Sequence, residues 1–135
     1  RARSALDNAV FLGRDGLPRG ERELAAAVTS KVNDCIYCAS VHARFAATYA
    51  KREADVDRLL AEGVGADLGE RWNAVVAASV ALTAVPMTFG PEHVARLRAA
   101  GMDDLAIADV IHGAAFFNWA NRLMLSLGEP VAEGE

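Results

Sequence analysis

A chain of 135 residues is long enough to bury a core of its own without disulfide scaffolding, and one domain over residues 1–135 is the default. Its composition, 53% hydrophobic with only 7% aromatic residues and four prolines, favours close-packed helices over strands, which draw on aromatic and β-branched side chains. A net charge of −4 and the lack of any Lys/Arg run argue against nucleic acid or an anionic membrane as partners, and no stretch reaches the roughly 20 apolar residues of a bilayer span.

The first turn signals are Gly13, Gly16, Pro18 and Gly20, which set off a short apolar segment around Ala9 to Leu12, read as a short helix or an arm. From Glu21 to Val32, the residues Leu24, Ala27, Val28 and Val32 recur at three- and four-residue steps, the pattern of one helix face. Asn33 and Asp34 interrupt it and are good N-cap residues, so a new helix is expected to start there and run through Cys35, Cys38, His42, Phe45 and Tyr49 to about Ala50. A third piece covers about Asp55 to Ala61, and a fourth about Gly69 to Thr83, ended by Pro86. A fifth starts on Pro91 and closes at Gly101. Asp103 or its neighbour caps the last and longest helix, about Asp104 to Leu127. The expected fold is therefore all-α, a compact bundle of about six helices.

The last helix is apolar almost all round, through Leu105, Ile107, Val110, Ile111, Phe116, Phe117, Trp119, Leu123 and Met124, and should be buried in the domain or in a subunit interface. His112 on that helix is expected to be a hydrogen-bonded core or interface residue, and His93 a surface residue. Asn118, Asn121 and Arg122 are expected to bond to neighbouring helix ends or across a subunit contact. The start, Arg-Ala-Arg-Ser-Ala-Leu, lacks the apolar core of a signal peptide, so a cytoplasmic protein is expected. Because the chain does not begin with methionine, residues upstream of Arg1 are expected to have been removed or left out.

The two cysteines, Cys35 and Cys38, are too close in sequence to staple distant segments, so their value is chemical or metal-binding, or else the pair is incidental. With His42 they fall at i, i+3 and i+7 on one helix, along a single face near its beginning. The unpaired N–H groups of a helix start favour a thiolate, and two adjacent thiols can close a disulfide. A thiolate that attacks the terminal oxygen of a peroxide becomes a sulfenic acid, which a neighbouring thiol converts to a disulfide with loss of water. His42, one turn beyond Cys38, can remove a thiol proton. Glu23, on the preceding helix beside the small residues Ala27 and Ser30, can orient His42 or relay its proton. Helix position points to Cys35 as the more acidic thiol, whereas the histidine points to Cys38 as the nucleophile.

The spacing Glu-x11-Cys-x2-Cys-x3-His, filled by Glu23, Cys35, Cys38 and His42, resembles the signature of the alkylhydroperoxidase D-like proteins, a superfamily that also includes carboxymuconolactone decarboxylase. The run Ala115-Phe116-Phe117-Asn118-Trp119-Ala120-Asn121-Arg122 is similar to the final helix of the peroxidase-related branch, so the resemblance extends from about Pro18 to Gly128. It implies that Cys38 attacks the peroxide, Cys35 resolves, and Glu23 and His42 relay the proton. It further implies an all-helical homo-oligomer, a trimer or hexamer, re-reduced by a dithiol protein and needing no haem, flavin or metal. The chain departs from some members in carrying Ile36-Tyr37 between the cysteines, where they have a histidine.

Three other readings compete. The cysteines, His42 and Glu23 could surround zinc, although structural zinc sites prefer three or four Cys/His ligands spread over two knuckles. A lactone decarboxylase-like enzyme of the same superfamily would not need two cysteines. A non-enzymatic redox sensor or interaction module would use their oxidation to alter an assembly surface.

Overall fold

The computed structural model describes residues 1–130, and among them the regular structure is helical with no strand. Residues 131–135, assigned above to the same domain, lie outside the described residues. The helices are α1 (Ala2–Phe11), α2 (Arg19–Val32), α3 (Ile36–Ala50), α4 (Glu53–Glu62), α5 (Glu70–Thr83), α6 (Pro91–Ala99) and α7 (Asp104–Leu127). That is seven among the described residues, one more than about six. The addition is α1, where the segment around Ala9 to Leu12 lengthens to a ten-residue helix. Its local signal is weak, and packing stabilises it: Phe11 is buried edge-on against Phe116 and Phe117 of α7.

The centre of the bundle is α2, against which α1, α3, α5 and α7 all pack. Its apolar face carries Leu24 and Val28, both wholly buried, each stabilising the fold by about 1.5–3 kcal/mol relative to exposure. Small residues set the spacing of its neighbours: Ala25, Ala26 and Ala27 on α2 are buried, as are Ala39, Ala43 and Ala46 on α3. At one end a Cβ on Gly20 would lie 2.8 Å from the Ala50 Cβ, so the helices touch there almost backbone to backbone. The outer helices follow simple rules. Asp103 caps α7 by accepting the Ala106 N–H at 2.9 Å, Pro91 is the first residue of α6, and Gly101, at φ +91°, follows its end.

Between α1 and α2 the glycine-rich segment is held by a buried arginine that composition did not single out. Arg22 donates to the carbonyls of Leu17 (2.5 Å), Val10 (2.9 Å) and Asp15, and lies 3.3 Å from the Asp109 carboxylate. Asp109 also accepts the Leu17 N–H at 2.9 Å. One guanidinium thereby satisfies three carbonyls that the fold removes from water.

Candidate functional site

The turn from α2 to α3 differs from the expected cap. Asn33 ends α2, giving its N–H to the Thr29 carbonyl, while its side-chain amide reaches Asn118 (3.1 Å) and Asn121 (3.2 Å) on α7. Asp34 lies in the left-handed region at φ +58° and makes the reversal. Cys35 itself takes the N-cap position of α3, with no oxygen-bearing side chain of its own to cap the helix, and its N–H donates to the Ser30 carbonyl at 2.9 Å. The Asn and Asp that resemble caps are used for docking and for the turn.

This geometry places both sulfurs in the first turn of α3. The Cys35 and Cys38 thiols are free, both buried, with their Sγ atoms 2.9 Å apart. They sit in an apolar cluster with Phe11, Ala26, Phe116, Phe117 and Ala120. The Cys38 sulfur also meets the Met124 thioether at 3.5 Å. The helix-end argument for an acidic Cys35 fails in this setting. Burial, reinforced by the Cys38 side chain, pushes the Cys35 thiol up to about 12 against the smaller opposing effect of the Cys38 N–H.

His42 lies one turn beyond Cys38 on α3, with its Nδ1 2.5 Å from the Glu23 Oε2 on α2. Its ring packs edge-on against Phe117 at 4.2 Å and against Phe45 at 6.2 Å. Glu23 is almost fully buried and His42 nearly so, at 2% and 15% side-chain exposure. A carboxylate at Nδ1 favours the tautomer that carries its proton there, with Nε2 as the free ring nitrogen. Arg19, one turn before Glu23, approaches the other carboxylate oxygen at 3.4 Å while its guanidinium lies over the Tyr49 ring at 4.0 Å. The structure therefore brings the four sequence-predicted residues into one region, Cys35 beside Cys38 and His42 beside Glu23. Sequence reasoning missed Arg19, although its i, i+4 spacing from Glu23 was a usable signal.

Two clefts approach the site from different sides. One of about 180 Å³ is lined by His42 and Glu23 together with Asn8, Phe11, Arg19 and Phe45. The other, about 410 Å³, opens beside Cys35 between Ser30, Lys31, Asp34 and Leu60. Among the described residues no three His, Cys, Asp or Glu side chains converge as a metal-ion site.

Outside this centre His112 and Arg122 depart from expectation, and His93 does so in part. His112 is exposed in the single chain, on a groove between α1 and α7 lined by Leu6, Val10, Phe116 and Trp119, so it is not a core histidine. His93 is partly buried, and its Nδ1 accepts the Gly90 N–H at 3.1 Å to close the start of α6. Asn118, half-buried, and Asn121, fully buried, join α7 to α2 and α5 through Asn33, Thr83 and Ser30, as expected. Arg122 is exposed and bonds within its own helix.

Among the described residues, the seven-helix arrangement without strands is the alkylhydroperoxidase D-like fold, by its match to solved structures. The chain belongs to the carboxymuconolactone decarboxylase family, whose model matches residues 1–81. It is similar to the alkylhydroperoxidase AhpD core, an uncharacterised peroxidase-related protein of Ralstonia eutropha JMP134, at 28% identity and a TM-score of 0.85, over 98% of this chain and 70% of that one. A peroxidase-related protein of Silicibacter sp. TM1040 matches at 27% identity and a TM-score of 0.84 over the same shares. A debrominase shares the fold, with a TM-score of 0.81 at 19% identity, over 98% of this chain and 70% of that one. No curated protein matches the chain. Among the described residues, no helix is long and apolar enough to cross a membrane.

Proposed function

We propose that the protein is a thiol-dependent peroxidase that reduces hydrogen peroxide or an organic hydroperoxide with its own cysteines. The observation that carries this reading is the pair of sulfurs 2.9 Å apart at the start of α3, with a histidine–carboxylate pair at 2.5 Å one turn further on. His42 Nε2 takes the Cys38 proton, and the Cys38 sulfur attacks the terminal peroxide oxygen. The O–O bond breaks, and the departing alkoxide leaves as an alcohol with the proton that His42 returns. Glu23 holds the imidazole and stabilises its transient positive charge. Cys35 then attacks the Cys38 sulfenic acid, an S–S bond forms and water leaves. A dithiol protein restores the two thiols by exchange. The choice of Cys38 as nucleophile is supported by the neighbouring histidine and by the elevated Cys35 thiol, which makes Cys35 the poorer candidate for first attack. Peroxidase-related neighbours at 27–28% identity support the same class of chemistry. We place the enzyme in a homo-oligomer, a trimer or hexamer, with no metal or organic cofactor.

Single-turnover kinetics of the cysteine variants test the assignment. Cys35→Ser is expected to consume about one equivalent of peroxide and stop at a trappable sulfenic acid on Cys38, whereas Cys38→Ser loses the fast reaction. Rapid sulfenic acid formation on Cys35 in the Cys38→Ser protein would exchange the roles. Steady peroxide consumption with a dithiol regenerant separates an enzyme from a redox sensor, which would oxidise once and stop.

A further inference from the structure

The first turn of α3 has no oxygen-bearing cap of its own and no acidic residue, yet a carboxylate does reach it from the far end of the chain. After Gly128 closes α7 at φ +110°, Glu129 folds back so that its Oε1 accepts the Tyr37 N–H at 3.3 Å. The same carboxylate helps to hold the Cys35 thiol above its ordinary value. An anion is stabilised at a helix N-terminus, and here that position adjoins a sulfur that must give up a proton before it can attack.

We propose that Glu129 is a catalytic residue of the resolving step, the base that takes the Cys35 proton as Cys35 attacks the Cys38 sulfenic acid. The proposal rests on the peroxidase reading above. In this step the Cys35 S–H proton passes to the Glu129 carboxylate, and the Cys35 sulfur forms a bond to the Cys38 sulfur. The Cys38 S–O bond breaks, and the departing hydroxide leaves as water with the proton that Glu129 took, passed on through solvent, which restores the carboxylate. The sum is one thiol and one sulfenic acid giving one disulfide and one water, with no further oxidant or reductant.

Two features of the site require such a base. Cys35 is wholly buried, which raises the cost of giving up its proton at neutral pH, and His42 is placed beyond Cys38 along α3. Burial first, then the Cys38 side chain and the Glu129 carboxylate, keep Cys35 protonated up to about 12. A thiol held in that form attacks only when a base beside it removes the proton in the same event. The other charged side chains on the Cys35 side are Lys31 and Asp34. Lys31 is turned to the Leu60 carbonyl at 3.4 Å, and Asp34 forms the turn.

The test is Glu129→Gln in the full chain. It keeps a carbonyl oxygen to accept the Tyr37 N–H and removes only the basicity. Sulfenic acid formation on Cys38 is expected at the wild-type rate, while closure of the disulfide slows by about 10²-fold near neutral pH. The slowed step should quicken as pH rises, because hydroxide replaces the missing base, and Glu129→Asp should recover part of the rate. Disulfide closure in Glu129→Gln at the wild-type rate, with the wild-type pH profile, overturns the assignment and leaves the peroxidase reading intact. A wild-type protein that forms no Cys35–Cys38 disulfide with peroxide overturns both.

Discussion

Cys35 stands at the helix end where backbone electrostatics favours a thiolate, and burial reverses that preference. The folded chain holds the Cys35 proton more tightly than the unfolded chain, whose thiol has its ordinary value near 9. The stability this contributes is complete below the ordinary thiol value and is lost as pH rises through about 12. The reduced protein should therefore weaken on the alkaline side, with a denaturation midpoint that falls steadily above about pH 9. Alkylation of Cys35 in a Cys38→Ser background should be slow at neutral pH and accelerate over the same range. A Cys35 that reacts at neutral pH as fast as an unstructured thiol would contradict this. His42→Ala should slow first-turnover peroxide reduction by about 10²–10⁴-fold without removing either sulfur, and Glu23→Gln should cost less if its task is to orient the ring. Equal single-turnover rates for His42→Ala and the parent would remove the histidine from the chemistry.

The cysteine–histidine spacing and the helical periods were legible because both are local: Cys35, Cys38 and His42 had to share a face once their segment was helical. The contact between α2 and α3 that joins Glu23 to His42 is not local. It depends on Gly20, whose added Cβ would sit 2.8 Å from both the Cβ and the backbone N of Ala50. Neither atom lies at the end of a flexible side chain that could swing away. Gly20→Ala should destabilise the fold by about 1–3 kcal/mol and lower peroxide reduction as well, by prising apart the helices that carry the imidazole and its carboxylate. Chemical denaturation together with single-turnover kinetics reads both effects, and a variant unchanged in both would show that the helices can separate freely. The sequence could not reveal that Asn33 would dock on α7 rather than cap α3, since an Asn suits either use and only the position of Asn118 and Asn121 decides. Nor could it show that Arg22 would be buried, because its three carbonyl partners belong to irregular backbone that carries no period.

At the level of the molecule, α7 is apolar on more sides than one chain can cover. Phe116 and Phe117 are buried, but Leu105, Trp119, Leu123, Leu125 and Leu127 remain exposed, Trp119 at 47%. An exposed apolar face of this kind is typical of a surface that meets another chain. Sedimentation at micromolar concentration should show a homo-oligomer, a trimer or a multiple of it, and Trp119→Glu should shift it toward monomer. A monomer at that concentration would contradict the oligomer. The proposed chemistry gathers at the start of α3, where the two thiols lie side by side, with a histidine–carboxylate pair one turn further on. The most direct measurement is thiol titration of the reduced protein before and after one equivalent of peroxide, with mass spectrometry to locate the new bond. The account predicts loss of both thiols and a single Cys35–Cys38 disulfide. Loss of thiols without that linkage, or two thiols that survive the peroxide, would contradict it.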